Sequence, residues 1–598
     1  MCAKAQTAEE VARSGLDVYT SMCEQTRGQQ VEQCAHFATC PYIQQFAGDV
    51  DVNIYTHAYL SKERTKLEPP IPDLVVIDES FWQSCVEIIR VPVGLLHAQF
   101  LKQARMATAE KVCAAVYDAL MQGAPLFQYL RDAGVYSLDI RQARMRLRSG
   151  RGALKPGMGD FQLCAAAAAL RDQSLLGCLM DCLWRESNAL RPDSHAITLD
   201  RSRNEVLVHA LSPIRRFDDA EGGKSVPIMV IDGSADERII RRLMPVNTFT
   251  VISVPRNARV IQCSSTRCST TSLDATRNSS AEGKKDAQKR IKQLTLFIER
   301  LAAEHKKVLV VGPTAITGNA RTGKNPSLTV PANVDLAHFG AIRGIDAWKH
   351  HDAIVIVGRN EPPIAEVEKL ARAIWCTDRE LLKCGGDWIT EVRGYRAAGS
   401  GRVGGVDVVR HPDDRVQAVL EQLREAESMQ AIDRLRLVHN AQPKDVYLLS
   451  NIPLDVDVDE LVDWDGLMEG RRVERAFDQL VDAMPLSGAW LARRFPQFWR
   501  TAAAAEKDVG RWRKGRQRSN RTTISNMSVF EHEYRPLHSK QRAWSRCLST
   551  LQDPADARAA LEALLHEPVL IRTTGAATSA ASARRADAPA ALSNGSPL

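Results

Sequence analysis

Long apolar runs are missing from this 598-residue chain. No stretch approaches the ~18 consecutive apolar residues that mark a membrane span, so none is expected. The first thirty residues mix charged and polar side chains and lack the apolar centre of a secretory signal. Cysteine is sparse, 14 residues scattered along the whole chain, which excludes a disulfide-stapled scaffold and leaves free thiols or metal ligands. An excess of one charge sign is also missing: 79 Lys and Arg against 72 Asp and Glu leave a net charge of only +7, compatible with nucleic acid but not demanding it. No internal repeat is visible. What is present is ordinary globular composition, 44% hydrophobic and 25% charged, which excludes a disordered or collagen-like chain. At roughly 150 residues per domain the length implies about four folding units.

Apolar runs bounded by acids or turns read as buried parallel strands. Leu74-Val-Val-Ile77 runs into Asp78-Glu79-Ser80, and Val226-Pro-Ile-Met-Val-Ile231 runs into Asp232-Gly-Ser-Ala-Asp236. Further strands are expected at Val308–Val311, Ala353–Val357 and Val446–Leu449, with helices over about 286–304 and from Arg415 to about Arg436. Strands separated by helices imply an α/β fold with a parallel sheet. Asp51–Leu60 is an alternating run. Residues 95 to about 212 are rich in Ala, Leu, Arg and Gln and read as helices, 264–287 as a polar surface loop, and the last 26 residues as a disordered tail.

A strand ending in Asp78-Glu79 is what a nucleoside triphosphatase needs: one carboxylate for Mg²⁺ and a second to polarise the attacking water. Such pairs also cap helices, and the motifs that follow in order strengthen the first reading. Val75-Val-Ile-Asp-Glu-Ser80 resembles motif II of superfamily 2 helicases, and Asp232-Gly-Ser-Ala235 is similar to motif III. Val308–Thr314 falls where motif IV does, Arg343-Gly-Ile-Asp346 resembles motif V, and Gln430…Arg434-x-Arg436 resembles motif VI. The resemblance covers roughly residues 20–452. It implies ATP and Mg²⁺ as ligands. Asp78, Glu79, Arg434 and Arg436 would be catalytic, and Gly344, Asp346 and Gln430 would join them in nucleotide binding. Asp232 and Ser234 would couple hydrolysis to lobe movement. The competing reading of the arginines is a basic helix end complementing the helix dipole.

Two details resemble the iron–sulfur, XPD/DinG-like branch. Cys23, Cys34 and Cys40 precede motif II, and a long helical interval separates motifs II and III, as the arch does in that branch. Val52–Leu60 is similar to its Asn-His-x-x-Leu segment. The resemblance implies a [4Fe–4S] cluster on Cys23, Cys34 and Cys40, with Cys2 or His36 as a fourth ligand or none. The spacing Cys-x10-Cys-x5-Cys lacks a close pair, and zinc or a decayed site of free cysteines suits it equally.

A Walker A loop, Gly-x4-Gly-Lys-[Ser/Thr], is needed to cradle the phosphates, and none occurs before Cys23. Its one imitation, Gly318-Asn-Ala-Arg-Thr-Gly-Lys-Asn325, has Asn in place of the Mg²⁺-binding hydroxyl and Pro326 where a helix should follow, and reads as a surface turn. Three explanations compete: a truncated frame, half of a split enzyme with a P-loop-bearing partner chain, or a degenerate relative that binds DNA without hydrolysing ATP. Beyond Pro485 the chain is basic. Arg493, Arg494, Arg511, Arg513, Lys514 and Arg516 are candidate phosphate contacts in a helix-turn-helix or winged-helix unit, and Trp512 a candidate stacking residue. The competing reading is a solvated basic helix over an aromatic core.

The expected architecture is α/β with two RecA-like parallel-sheet lobes, the first incomplete. Residues 1–94 would be a partial first lobe with the cysteine-rich insertion, 95–212 the arch-like insertion, and 213–255 the return to the first lobe. Residues 256–465 would be the second lobe, 466–572 a basic helical DNA-binding domain, and 573–598 the tail. The expected function is ATP-dependent translocation on single-stranded DNA in a cytoplasmic setting, without a membrane. The alternative is a catalytically inactive DNA-binding module in replication or mobile-element maintenance.

Overall fold

Aliphatic runs that are apolar at every position call for a parallel sheet covered on both faces. The computed structural model describes residues 2–27, 29–46, 51–61, 71–148, 154–188, 190–212, 214, 226–397, 401–468, 472–477, 479–480, 482–519, 523–524, 527–538 and 543–573. Strands β1 (Val75–Asp78) and β2 (Ile228–Ile231) pair in parallel as a two-stranded sheet, Val75 opposite Ile228 and Asp78 opposite Ile231. Strands β3 (Ala258–Cys263), β4 (Val308–Gly312), β5 (Val334–His338), β6 (Ala353–Val357), β7 (Lys444–Leu449) and β8 (Glu460–Val462) form a second sheet. It is parallel throughout, in the order β5-β4-β6-β7-β3-β8.

The larger sheet is covered on both sides, and β4 and β6 are buried at every position. Helix α1 (Ala281–Glu304) starts where Ser280 accepts a hydrogen bond from the Gly283 amide. Its Leu294, Phe297, Ile298 and Leu301 pack on Val308, Val310 and Val355. The intervening residues Leu309, Val311, Ile354 and Ile356 point to the other face and meet Ala431, Ile432 and Leu435. Period-2 alternation thus builds two cores from one set of strands.

Helix α2 (Ile364–Ile374) and helix α3 (Asp414–Asp433) join this body to the small sheet. Val367 and Ala371 of α2 and Val416, Val419 and Leu420 of α3 pack with Ile77, Phe81, Trp82 and Ile239. The opening turns of α3 therefore lie under β1–β2 and its last turn under the six-stranded sheet. Between them α3 buries Gln417, Gln422, Arg424, Glu427 and Ser428.

The helices Ala107–Gln122, Leu126–Asp132, Ser137–Arg148 and Asp160–Ser187 meet the helical expectation, but the interval is closed by an antiparallel sheet that the all-helical expectation omits. Strand Val86–Pro92 pairs with Glu205–Leu211, which pairs with Ile197–Asp200. The helix Asp160–Ser187 is long and apolar enough to cross a membrane by length and composition, and is alone in this among the described residues. It packs against the helix Ser137–Arg148, whose Arg144 and Arg148 both pair with its Asp181. Its Leu176, Leu179, Met180 and Leu183 are buried in the core of this region, while Phe161 near its start is exposed. Near its end Glu186 is fully buried. It pairs with Arg191 and accepts from Ser194 Oγ and from the amides of His195 and Ala196, at 2.9 and 3.1 Å. Arg191 also donates to the carbonyls of Cys376 and Asp378, clamping this region to the end of α2.

Three further expectations are corrected. Asp51–Leu60 has no strand and ends in a 3₁₀ turn (His57–Ser61), because no strand among the described residues partners it and the His57 ring is used elsewhere. The 264–287 stretch holds short helical turns at Thr270–Leu273 and Ala275–Arg277, capped by Ser269 and Asp274. The C-terminal region is not only helical. An antiparallel sheet of Ala483–Pro485, Ser545–Ser549, Phe530–Pro536 and Val569–Thr573 packs with helices Gly488–Arg494, Ala502–Ser519 and Pro554–Leu565. The expected tail beyond residue 573 lies outside the described residues.

Arg191→Ala would leave Glu186 charged and buried without its partner, and chemical denaturation should show a loss of about 3–5 kcal/mol. Acid should act through two buried histidines. Burial, then Arg191, holds His195 at about 4, and burial, then Arg372, holds His209 at about 3. The unfolded chain takes up protons at both from about pH 6.5 downward, while the folded chain does not until about 4 and about 3. Stability should therefore fall as pH drops through that window. Urea melts along the titration should show the decline, and His209→Gln should make it shallower.

Candidate functional site

The carboxyl ends of β1 and β2 carry the acidic residues. Asp78 closes β1, and the His57 Nε2–H donates to its carbonyl at 2.8 Å along the outer edge of that strand. Glu79 has φ 62°, a left-handed conformation that costs a non-glycine residue about 1–2 kcal/mol. Its amide donates to the Ile231 carbonyl at 2.8 Å, so the chain leaves the sheet sharply at this point. At the end of β2, Asp232 Oδ1 accepts from the amide and hydroxyl of Ser234 at 2.8 and 2.9 Å, which fixes the turn.

Helix α3 and the loop after β5 face these strand ends. Arg434, at the end of α3, donates from Nη2 to Glu79 Oε1 at 3.0 Å and from Nη1 to the Ile345 carbonyl at 3.4 Å. Gln430, one turn earlier, donates to Ser234 Oγ at 3.1 Å, and Gln422 to the Ser234 carbonyl at 2.6 Å. Arg343 spans the same gap, donating to Gln83 Oε1 at 3.1 Å and to Glu427 Oε2 at 3.0 Å, while Glu427 Oε1 accepts from the Gly340 amide. The expected residues Glu79, Asp232, Ser234, Gln430 and Arg434 thus meet where the two sheets face each other, and Asp78 stands beside Glu79 at the end of β1 without a side-chain contact to them among the described residues.

Arg436 turns aside from the acidic pair. It sits at φ 55° and pairs with Asp346 at 2.7 Å. Hydrogen bonds from Arg436, then Lys349, hold the Asp346 carboxyl below the usual range. Gly344, at φ 67°, makes the left-handed turn that leads to Asp346.

Several buried polar atoms in the cleft have no hydrogen-bond partner among the described residues: Asp232 Oδ2, Gln430 Oε1, Arg434 Nε and Arg343 Nε. Each costs about 1–3 kcal/mol if left so. A cleft with carboxylates on one wall, arginines on the other and unmet donors and acceptors between them is equipped to take a polar, anionic ligand.

A second constellation is built near the amino end. The hairpin Glu24–Arg27 and Gln30–Gln33 pairs Glu24 with Gln33, so Cys23 and Cys34 flank its open end, with the Cys34 amide donating to the Cys23 carbonyl at 2.9 Å. The ten intervening residues form the hairpin that sets Cys23 and Cys34 side by side. A 3₁₀ turn, Phe37–Thr39, brings back Cys40 at the start of helix Pro41–Gln44. Helix Ala5–Arg13 brings in Cys2. Cys2, Cys23, Cys34 and Cys40 line one apolar cavity, with the exposed His36 at its rim. Burial, then the neighbouring Cys2, Cys34 and Cys40, pushes the Cys23 thiol up to about 12. As placed, no group of three or more His, Cys, Asp or Glu side chains among the described residues is arranged to hold a metal ion. In donor chemistry, four soft sulfurs around one cavity suit an iron–sulfur cluster or zinc.

The Gly318–Asn325 imitation of a phosphate loop is an exposed, closed turn in which Asn319 and Lys324 exchange backbone hydrogen bonds of 2.8 and 3.0 Å, leaving no open cradle. In the C-terminal region Arg493 and Arg494 are exposed, Arg511 pairs with Asp508 and Arg513 with Glu531. The side chains of Lys514 and Arg516 lie outside the described residues. Trp512 is buried and donates to Glu474 at 2.8 Å, so it is a core residue and not a stacking platform.

Sequence reasoning missed Gln83, Arg343, Gln422 and Glu427 as members of the cleft, and it left Cys2 as one option of three. Glu427 had a signal: it stands three and seven residues before Gln430 and Arg434, on the same face of α3. Gln83 had none. A comparison with known protein families finds none that matches this chain, and no curated protein matches it either.

Proposed function

We propose that this chain is part of an ATP-driven DNA translocase resembling the XPD/DinG-like branch of superfamily 2. In this reading the six-stranded sheet is the second RecA-like lobe, β1–β2 belongs to the first, and the 107–211 region is the arch. The observation that carries it is the Glu79–Arg434 pair at 3.0 Å, with Gln430 on Ser234 beside it. It joins the two motifs that must meet across a nucleotide, although they are 355 residues apart in sequence.

Asp78 would hold Mg²⁺ on the terminal phosphates, and the metal would supply charge neutralisation there. The residues of the chain do the rest. Glu79 orients and polarises the attacking water, and Arg434 stabilises the charge that develops on the transferred phosphoryl group. Arg434 pairs with Glu79, so binding of phosphate would draw the guanidinium away and free the carboxylate. Ser234 feels the same motion through Gln430 and Gln422, which supports the coupling role of Asp232 and Ser234. Arg436 on Asp346 acts as a brace between the motif V loop and α3, one step from the phosphates.

The cavity of Cys2, Cys23, Cys34 and Cys40 would hold a [4Fe–4S] cluster or zinc, and the cluster would supply a rigid clasp for the insertion that contacts single-stranded DNA. The exposed Arg493, Arg494 and Arg511 would neutralise phosphates. The setting would be cytoplasmic. The competing reading, a DNA-binding module without hydrolysis, is favoured by the closed turn at Gly318–Asn325, the sequence's nearest imitation of a phosphate loop.

In an assay of the full chain together with the polypeptide encoded next to it, DNA-stimulated ATP hydrolysis should fall by about 10²-fold or more in Glu79→Gln and about 10³-fold or more in Arg434→Ala. Full activity in Glu79→Gln would remove the motor reading. Protein purified without exposure to oxygen should show either the broad visible absorbance of an iron–sulfur cluster or bound zinc by elemental analysis. Cys2→Ser should diminish that signal as strongly as Cys23→Ser does. Full metal content in Cys2→Ser would show that the fourth thiol is not a ligand.

A further inference from the structure

We infer that the β1–β2 sheet is an acceptor for a further parallel strand, supplied by an adjoining polypeptide that also carries the phosphate-binding loop. This rests on the proposed nucleotide cleft and names the partner that completes it.

The two strands are apolar on both faces, yet the described residues cover only one face. Val75, Ile77, Ile228 and Val230 pack inward against α2, α3 and the helix Glu237–Leu243. Val76, Met229 and Ile231, with the preceding Leu74, point the other way and are 49, 46, 52 and 49% exposed. Parallel sheets are found with both faces buried, and two parallel strands alone do not hold a sheet.

The edges differ as well. The outer edge of β1 is met by the His57 ring at the Asp78 carbonyl. In β2 the carbonyls of Pro227 and Ile231 accept from Val75 and Glu79. By the parallel alternation, the amides and carbonyls of Ile228 and Val230 therefore face outward. No described residue bonds to them, and they border an open groove of about 760 Å³ lined by Val226, Leu243, Met244, Val246 and Phe249. The same groove reaches Asp232, whose Oδ2 has no partner among the described residues.

Unmet backbone groups beside a groove lined by Met244, Val246 and Phe249 together with Asn247, Thr248 and Thr250 specify an extended peptide, by strand addition, over a helix or a lipid. The occupant is a parallel strand with alternating apolar residues. A glycine-rich turn at its carboxyl end would satisfy Asp232 and reach Asp78 and Glu79, and a following helix would cover Val76, Met229 and Ile231. Residues 215–225 of this chain, Arg-Arg-Phe-Asp-Asp-Ala-Glu-Gly-Gly-Lys-Ser, have Phe217 as their one large apolar side chain and do not fit that description.

The test uses the full chain and, as probe, the polypeptide encoded immediately upstream of it, expressed as a separate chain. The two should co-purify in equimolar amounts, and the Ile228 and Val230 amides should exchange hydrogen at least about tenfold more slowly in the complex. Val230→Pro removes an outward amide that β1 does not use, and Met229→Lys places a charge on the uncovered face. Each should weaken association by about tenfold or more. Met229→Lys, on the uncovered face, should leave thermal melting and DNA binding of the chain itself unchanged. Val230→Pro also trims an inward-packed side chain and is compared with Val230→Ala, which keeps the amide and should associate normally. No association, association without protection of that edge, or association indifferent to both variants would overturn the inference. So would self-association of the chain through the same edge. A complex formed at the edge that fails to bind nucleotide would sink the motor reading and leave the docking inference standing. ATP hydrolysis by the chain without any partner would do the reverse.

Discussion

Helix α3 is the element on which the rest depends. One apolar half lies under β1–β2, the other under the six-stranded sheet, and the polar middle runs along the gap between them. That arrangement lets one short ion pair, Arg434 on Glu79, report on the distance between the two sheets. Glu79 is about one-third exposed, so the pair adds little to stability and can be exchanged for another anion at small cost. A deeply buried pair such as Glu186–Arg191 could not be exchanged in this way, because either charge left alone would be prohibitively expensive. The protein thus has a fixed clamp where the helical region meets α2 and a releasable one at the cleft.

The small sheet and the large one show the same residue chemistry under different constraints. Both are built from Val and Ile at successive positions, and in the large sheet both faces are covered by helices of this chain. In the small sheet one face is covered and one is open. The open face adjoins the strand ends that carry Asp78, Glu79 and Asp232. Strand completion and nucleotide chemistry would therefore be the same event in the proposed motor: whatever closes the sheet brings its loop to the acids.

In the cysteine-rich region tertiary structure gathers thiols that are distant in sequence around one cavity. A hairpin, a 3₁₀ turn and an amino-terminal helix converge four thiols that are separated by twenty, ten and five residues. Holding Cys23 protonated up to about 12 in that cavity makes any bound metal pay for proton release, and links occupancy to pH.

The sequence alone determined the elements whose signals are local. The strands expected at 74–77, 226–231, 308–311, 353–357 and 446–449 and the helices expected over about 286–304 and 415–436 follow from apolar runs and periodicity and lie within a few residues of those observed. The first helix, however, begins five residues earlier, inside the expected polar loop. The acids at the strand ends follow from the same runs. It did not reveal β3 or β5, whose mixed residues, Ala-Arg-Val-Ile-Gln-Cys and Val-Asp-Leu-Ala-His, become strands through their neighbours in the sheet. Nor did it reveal that Arg436 would turn to Asp346 while Arg434 reached Glu79, or that Arg343 and Glu427 would share the cleft. Those pairings depend on a left-handed residue at the end of α3 and on the packing of α3 between two sheets. Tertiary structure decided them because contacts between residues hundreds of positions apart leave no periodic trace in a single chain.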